Sequence, residues 1–199
     1  MYNTYDRVWF SSDWHLFDNN ILKYCIDTRG HYVDIEEMNK DIITKINNKV
    51  SKNDIIFFLG DLSYCKKKSF NNVVDIIKRI NCNIFFIKGN HDHDILMSKI
   101  SLLPNVVGIE DIYSIKINDQ DAVHKKQMIV MCHYPLEVWE KSHYGSWMIH
   151  GHCHGTLPIN MNRMRLDIGI DCNNMLIFSY KDIKLQMFNR KNISIDGHV

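Results

Sequence analysis

Five times along this chain an apolar run of strand-like length stops at a group able to hold a metal ion or move a proton. Residues 7–11 lead into Ser12-Asp13-Trp14-His15, residues 54–59 into Gly60-Asp61, and residues 83–87 into Lys88-Gly89 and then Asn90-His91-Asp92. The run ending at Cys132 leads into His133-Tyr134-Pro135, and residues 147–150 into Gly151-His152-Cys153-His154-Gly155. In open α/β sheets, ligands bind outside the carboxyl ends of the strands. Five such ends would gather carboxylate, amide and imidazole groups around one rim, and that demand constrains the fold more than any other feature.

The segments between these ends read as helices in the first half. Residues 33–50 carry Ile35, Met38, Ile42, Ile43, Ile46 and Val50 at helical i, i+3/i+4 spacing, with Asp34, Glu36 and Glu37 suited to the N-terminal turn. Residues 69–80 repeat the spacing through Phe70, Val73, Val74 and Ile77, and residues 92–100 also look helical. The runs DIIFFL and NIFFI have the character of strands buried on both faces. Such alternation indicates a mainly parallel sheet with helices packed over it. The second half is richer in strand, at 112–117, 127–132, 147–150 and 163–168, and Ser179-x-x-Asp182 resembles a capping box that opens a last short helix, with Asp in place of Glu/Gln. The pattern is a two-sheet α/β sandwich. There is no internal repeat, low-complexity tract or linker, and 199 residues suit one domain over 1–199.

Composition narrows the function classes. Lys+Arg at 24 against Asp+Glu at 23 leaves almost no net charge, which gives no support to a general nucleic-acid or membrane-binding surface. The compact basic clusters, at 66–68 and 125–126, read as solvated turns. No apolar run approaches the roughly 18–20 residues that span a bilayer, and the N-terminus lacks a signal-peptide pattern. Cys25, Cys65, Cys82, Cys132, Cys153 and Cys172 show no C-x-x-C spacing and read as small hydrophobes in a reducing compartment. The expectation is a cytoplasmic protein.

Each polar fragment alone is weak: Asp-x-His occurs by chance, and a Gly-Asp after a strand is usually a turn. Their joint occurrence at five strand ends is the signal. Imidazole and carboxylate without a thiolate cluster suit manganese, iron, zinc or a mixed pair. In Asp13-x-His15 and His152-x-His154, alternate spacing on an extended backbone points both side chains the same way. Trp14 and Cys153 would then point away, which makes Cys153 a packing residue. The glycines at 60, 89, 151 and 155 would permit tight turns where side-chain bulk would block the metals.

Read in order, DWH, GD, GNHD, CHYP and GHCHG resemble the calcineurin-like metallophosphoesterase superfamily, over Asp13 to Gly155. The resemblance implies a four-layer α-β-β-α sandwich of two mixed sheets flanked by helices, and two divalent metal ions. Manganese is the expected occupant, with iron, zinc, nickel and magnesium as alternatives. It assigns Asp13, His15 and His154 to one metal, Asn90, His133 and His152 to the other, and Asp61 as the bridge. His91 matches the histidine that contacts the phosphoryl oxygen and protonates the leaving group. Asp92 closes that motif, though it reads equally as the N-cap of the next helix. Two cations about 3.5–4 Å apart can neutralise a phosphate ester, clamp its oxygens and supply hydroxide at neutral pH.

The segment after Gly60-Asp61 lacks the Asp and Arg of the phosphoprotein-phosphatase branch, and GNHD stands where that branch has GNHE. The chain looks more like the small bacterial and phage-type members, which Arg29, Glu37-Met38 and the IGIDCN segment at 168–173 also match. Arg29 in a loop and His143 before the last block are candidate substrate contacts, weighed against surface or salt-bridged roles. His31, His93, His124, His150 and His198 have no motif support and read as structural or exposed. The expected function is hydrolysis of a phosphomonoester or phosphodiester in a small-molecule or nucleotide substrate. The alternatives are a nuclease, which near-neutral charge disfavours, and a non-catalytic scaffold, which the complete ligand set disfavours.

Overall fold

The computed structural model describes residues 5–122, 124–195 and 197. The chain runs through β1 (Val8–Ser11), α1 (Ile21–Tyr24), α2 (Ile26–Arg29), α3 (Ile35–Lys49), β2 (Ile55–Phe58), α4 (Phe70–Lys78), β3 (Asn83–Ile87) and α5 (Asp94–Ile100). It continues through β4 (Val106–Glu110), β5 (Ile112–Asn118), β6 (Lys126–Cys132), β7 (Trp147–His150), β8 (Arg165–Asp167), β9 (Phe178–Ser179) and α6 (Tyr180–Phe188). One sheet has the order β4-β3-β2-β1-β9, with β1 to β4 parallel and β9 antiparallel on β1. The other has the order β5-β6-β7-β8, with β5 antiparallel to β6 and the remaining pairs parallel. The chain is therefore an α/β protein of two mixed sheets with flanking helices, as expected.

Strand side chains alternate between two cores because successive residues face opposite sides of a pleated sheet. Val8, Phe10, Phe57 and Phe85 of the first sheet meet Ile129, Met131, Trp147 and Ile149 of the second. Ile56, Phe58, Ile84 and Phe86 face outward and are covered by Met38, Ile42 and Ile46 of α3, Val73 and Ile77 of α4, and Leu96 and Ile100 of α5. This double burial explains the unbroken apolar runs. Over the second sheet, Val130 and Met148 pack on Trp139, which lies in the irregular stretch 133–146. Helix α6 instead inserts Tyr180, Ile183 and Met187 into the core between the sheets.

Local signals account for the helix starts. Asp34 accepts from the Glu37 backbone N–H at 2.8 Å, and Ser179 and Asp182 form the reciprocal capping box that opens α6. The N-cap of α5 is His93, whose ring accepts from the Ile95 N–H, so Asp92 is not the cap that the sequence also allowed. Four elements go beyond what the sequence pattern announces: β4, a partly exposed edge strand, the two-residue β9, and the single-turn α1 and α2. No described helix is long and apolar enough to cross a membrane.

Candidate metal centre

The polar strand ends converge at one rim of the sandwich, and they do so through left-handed backbone. Asp13, His15, Asp61, His152 and His154 have φ of 60°, 49°, 57°, 71° and 48°. Asp and His are among the residues that enter this region most readily, though it is still strained for a side chain. The extended geometry expected for Asp13-x-His15 and His152-x-His154 is thus not what is found. Each candidate pair converges because the chain coils left-handed as it leaves its strand. Parallel pairing persists through these turns: Asp13, His15 and Leu16 donate to the carbonyls of Gly60, Asp61 and Leu62 at 3.0, 3.0 and 2.9 Å.

The carboxylates are fixed by backbone donors. Asp61 Oδ1 accepts from the His91 N–H at 2.9 Å, and both oxygens of Asp13 accept from the His152 N–H at 3.1 Å. Close approach here requires glycine. A Cβ on Gly89 would sit 2.3 Å from Asp61 Oδ1, and one on Gly151 would sit 2.6 Å from Asp13 Oδ2. Asp92 accepts from the backbone N–H groups of Asp61, Leu62 and Gly89 at 3.0, 2.8 and 2.8 Å, clamping the second and third blocks together.

Asp13, His15 and His154 bring ligand atoms within 4.8 Å of one another, and so do Asp61, His133 and His152. Asn90 Oδ1 joins the second group, 3.0 Å from His133 Nε2 and 2.9 Å from His152 Nδ1. Asp61 Oδ2 lies between the groups, 3.5 Å from His15 Nε2 and 3.4 Å from His133 Nε2. His91 stands at the rim, partly exposed, with Nε2 3.9 Å from the same oxygen.

Three of the histidines are held from behind, which sets their tautomers and leaves Nε2 facing the centre. His15 Nδ1 pairs with Asp18 at 3.2 Å, His133 Nδ1 donates to the Leu59 carbonyl at 2.7 Å, and His154 Nδ1 pairs with Asp171 at 2.8 Å. His15 Nε2 is buried without a hydrogen-bond partner. His133 Nε2 faces two acceptors, Asn90 Oδ1 and Asp61 Oδ2, and although burial opposes it, Asp61 raises the pKa of the ring, so the position favours positive charge, whether a proton or a metal ion. A cation satisfies both the orphaned nitrogen and this position, so the residues present fit a metal pair.

Electrostatics of the cluster follow the same geometry. Burial pushes the Asp13 carboxyl up to about 7. Burial would raise Asp61 too, but the hydrogen bond and charge of His133 outweigh it and hold that carboxyl at about 2. Burial opposes protonation of His154, yet Asp171 lifts it to about 10.

Two expected substrate contacts lie elsewhere. Arg29 is fully buried at the end of α2, where Nε and Nη2 grip Asp171 at 2.8 and 2.5 Å and Nη2 and Nη1 donate to the carbonyls of Asp13 and Trp14. It braces the ligand loop and has no surface to offer a substrate. His143 lies in the 3-10 turn Ser142–Tyr144, before the N-terminal end of β7, whereas the ligands follow its C-terminal end. The length of that strand separates them.

Cys153 lies with His150 and Asp167, outside both ligand groups. His150 donates to the Gly151 carbonyl, His31 packs on Tyr32, and His124 is exposed. His198 lies outside the described residues. Asp18 and Asp171, the histidine partners, are not among the site residues expected from sequence. Asp18 was visible as a carboxylate three residues after His15, but Asp171 is remote in sequence from both Arg29 and His154.

Residues 6–185 match the family model described as calcineurin-like phosphoesterase. An uncharacterized protein of Methanocaldococcus jannaschii is 28% identical over 186 residues, covering 91% of this chain and 88% of that protein. A probable cyclic nucleotide phosphodiesterase of Coxiella burnetii is 27% identical over 168 residues, covering 69% of this chain and 63% of that protein. Among solved structures, a protein of unknown function from Aquifex aeolicus superposes with a TM-score of 0.63 at 19% identity, covering 90% of this chain and 98% of that one.

Proposed function

This chain belongs to the calcineurin-like phosphoesterase family and is a phosphoric ester hydrolase; from that premise we propose that it uses a pair of divalent cations, manganese foremost, to cleave a phosphodiester or phosphomonoester of a small nucleotide-like substrate. The observation that carries this reading is the position of Asp61 Oδ2, within 3.5 Å of a histidine nitrogen from each ligand group. A carboxylate so placed is the natural bridge between two cations. Asp13, His15 and His154 would hold one, and Asn90, His133 and His152 the other. Such a pair supplies charge neutralisation of the phosphoryl group and a hydroxide nucleophile at neutral pH.

The chain's own groups do the rest. Asp18, Leu59 and Asp171 hold the imidazoles in the tautomers that present Nε2 inward. His91 stands at the open side of the centre, where an imidazole can donate a proton to a departing oxygen. Its backbone N–H fixes the bridging carboxylate, so the ring and Asp61 are positioned together. The relative named as a probable cyclic nucleotide phosphodiesterase supports a diester of nucleotide size.

The test is metal content and turnover on one preparation. Protein purified with Mn²⁺ is expected to carry two ions per chain and hydrolyse bis-p-nitrophenyl phosphate, and Asp61→Asn to lose both. Full metal and full turnover in Asp61→Asn would overturn the bridging assignment.

A further inference from the structure

Beside the candidate centre the surface opens into a groove of about 760 Å³, one wall of which is formed by ligand histidines and His91. Away from the ligands it carries large apolar side chains standing in water: Tyr24 is 78% exposed, Ile26 65% and Tyr64 55%. Tyr64 is set three residues after Asp61 and meets the His91 ring edge-on at 4.7 Å. Its preceding residue is pinned, because Ser63 pairs with Leu16 and its hydroxyl donates to the Leu16 carbonyl at 2.6 Å. An aromatic ring on a fixed support beside a reaction centre is a ready stacking surface.

The charge of the groove limits its occupant. Its ionisable lining outside the histidines and the two cysteines, Cys25 and Cys153, is Asp18 and Asp27 with the two tyrosines, and no lysine or arginine is among its described lining residues. A polyphosphate or a nucleic-acid backbone would need several cationic contacts there. A flat, uncharged ring whose only phosphate sits at the metal centre needs none, and a carboxylate such as Asp27 can accept from ring amino or imino groups. We propose that this groove seats the heteroaromatic base of a substrate with a single nucleoside and a single phosphate, stacked against Tyr24 and Tyr64. The proposal rests on the two-cation reading above and narrows its substrate class.

Calorimetry on the Mn²⁺-loaded protein tests it with two product-like probes, adenosine 5′-phosphate and ribose 5-phosphate, which differ only in the base. The mononucleotide is expected to bind about tenfold or more tightly, the scale that base–aromatic stacking gives on alanine substitution. Tyr24→Ala and Tyr64→Ala should each shrink that ratio, and the double variant should remove most of it. Equal affinities in the unaltered protein, or an undiminished ratio in a folded double variant, overturn the proposal. So does a deoxyadenylate hexamer that binds more tightly than the mononucleotide. Turnover of bis-p-nitrophenyl phosphate in the same preparation separates the two readings. Turnover without base preference removes the base seat alone, whereas base preference without bound metal or turnover removes the two-cation reading.

Discussion

The guanidinium of Arg29 has no exposed surface, and Asp171 is nearly as buried. Burial would raise the Asp171 carboxyl, but Arg29 and His154 together hold it well below the usual carboxylate range. The pair braces two things at once, the carbonyls of Asp13 and Trp14 on one side and the ring of His154 on the other. Removing one member of a buried ion pair leaves an uncompensated charge and typically costs about 3–5 kcal/mol. Arg29→Met is therefore expected to lose stability on that scale in urea unfolding, together with affinity for Mn²⁺. Loss of a mere substrate contact would instead raise KM and leave stability and metal affinity unchanged. His91 separates differently, because it stands at the rim and is not among the proposed ligands. His91→Ala should retain both cations yet lose turnover, about a hundredfold or more on a poor leaving group and less on p-nitrophenolate. Full activity on the poor leaving group would remove its role as proton donor.

At the scale of elements, the strands end where their backbones can turn left-handed, and the clamps that hold those turns are backbone hydrogen bonds. Asp92 is the clearest case. Three N–H groups from two different strand ends converge on its carboxylate, so its loss leaves three donors to find other partners. Asp92→Ala should destabilise the protein by about 3 kcal/mol or more, at about 1–3 kcal/mol per unsatisfied buried donor. It should also loosen Asp61 and Asn90, visible as weaker metal binding. Helix α6 offers a milder test far from the centre. Ser179→Ala breaks the capping box and should cost about 1 kcal/mol in thermal or urea unfolding while leaving metal content unchanged.

Across the whole molecule, the two sheets are tied at the end of β5 by Asp119. It accepts from the Tyr180 hydroxyl at 2.6 Å and from Lys184 Nζ at 2.8 Å, both on the α6 segment that follows β9 of the other sheet. Burial opposes ionisation of Asp119, but these donors prevail and lower its pKa. A carboxyl whose folded value lies below its unfolded one stabilises the fold above the unfolded pKa, and that contribution fades as pH falls through the folded value. Asp119→Ala should thus be less stable than the parent by about 2–3 kcal/mol near neutral pH, from lost charge-assisted hydrogen bonds. Melts at decreasing pH should show the gap closing below the usual carboxylate range near 3.8. A gap that stays constant down to acid pH would mean that Asp119 acts through packing alone.

The sequence by itself determined the strand ends, the residue types on them and the helices whose apolar faces repeat every three to four positions. Those are local properties: hydrophobic period reports which face is buried, and an abrupt polar stop reports where a strand ends. Gly60-Asp61 and Gly151-His152 were legible for that reason, and so was the box at Ser179. The tertiary structure alone decided which way the candidate ligands turn and what stands behind them. Left-handed backbone at Asp13 and His152 replaced the extended geometry that spacing suggested. Arg29 looked like a rim residue from its neighbours, because nothing within reach in sequence announces Asp171, 142 residues away. His143 precedes a ligand-bearing strand, but only the sheet shows that it enters at the opposite end. Pairings between distant segments depend on how elements pack, and packing is a property of the folded chain rather than of any stretch of it.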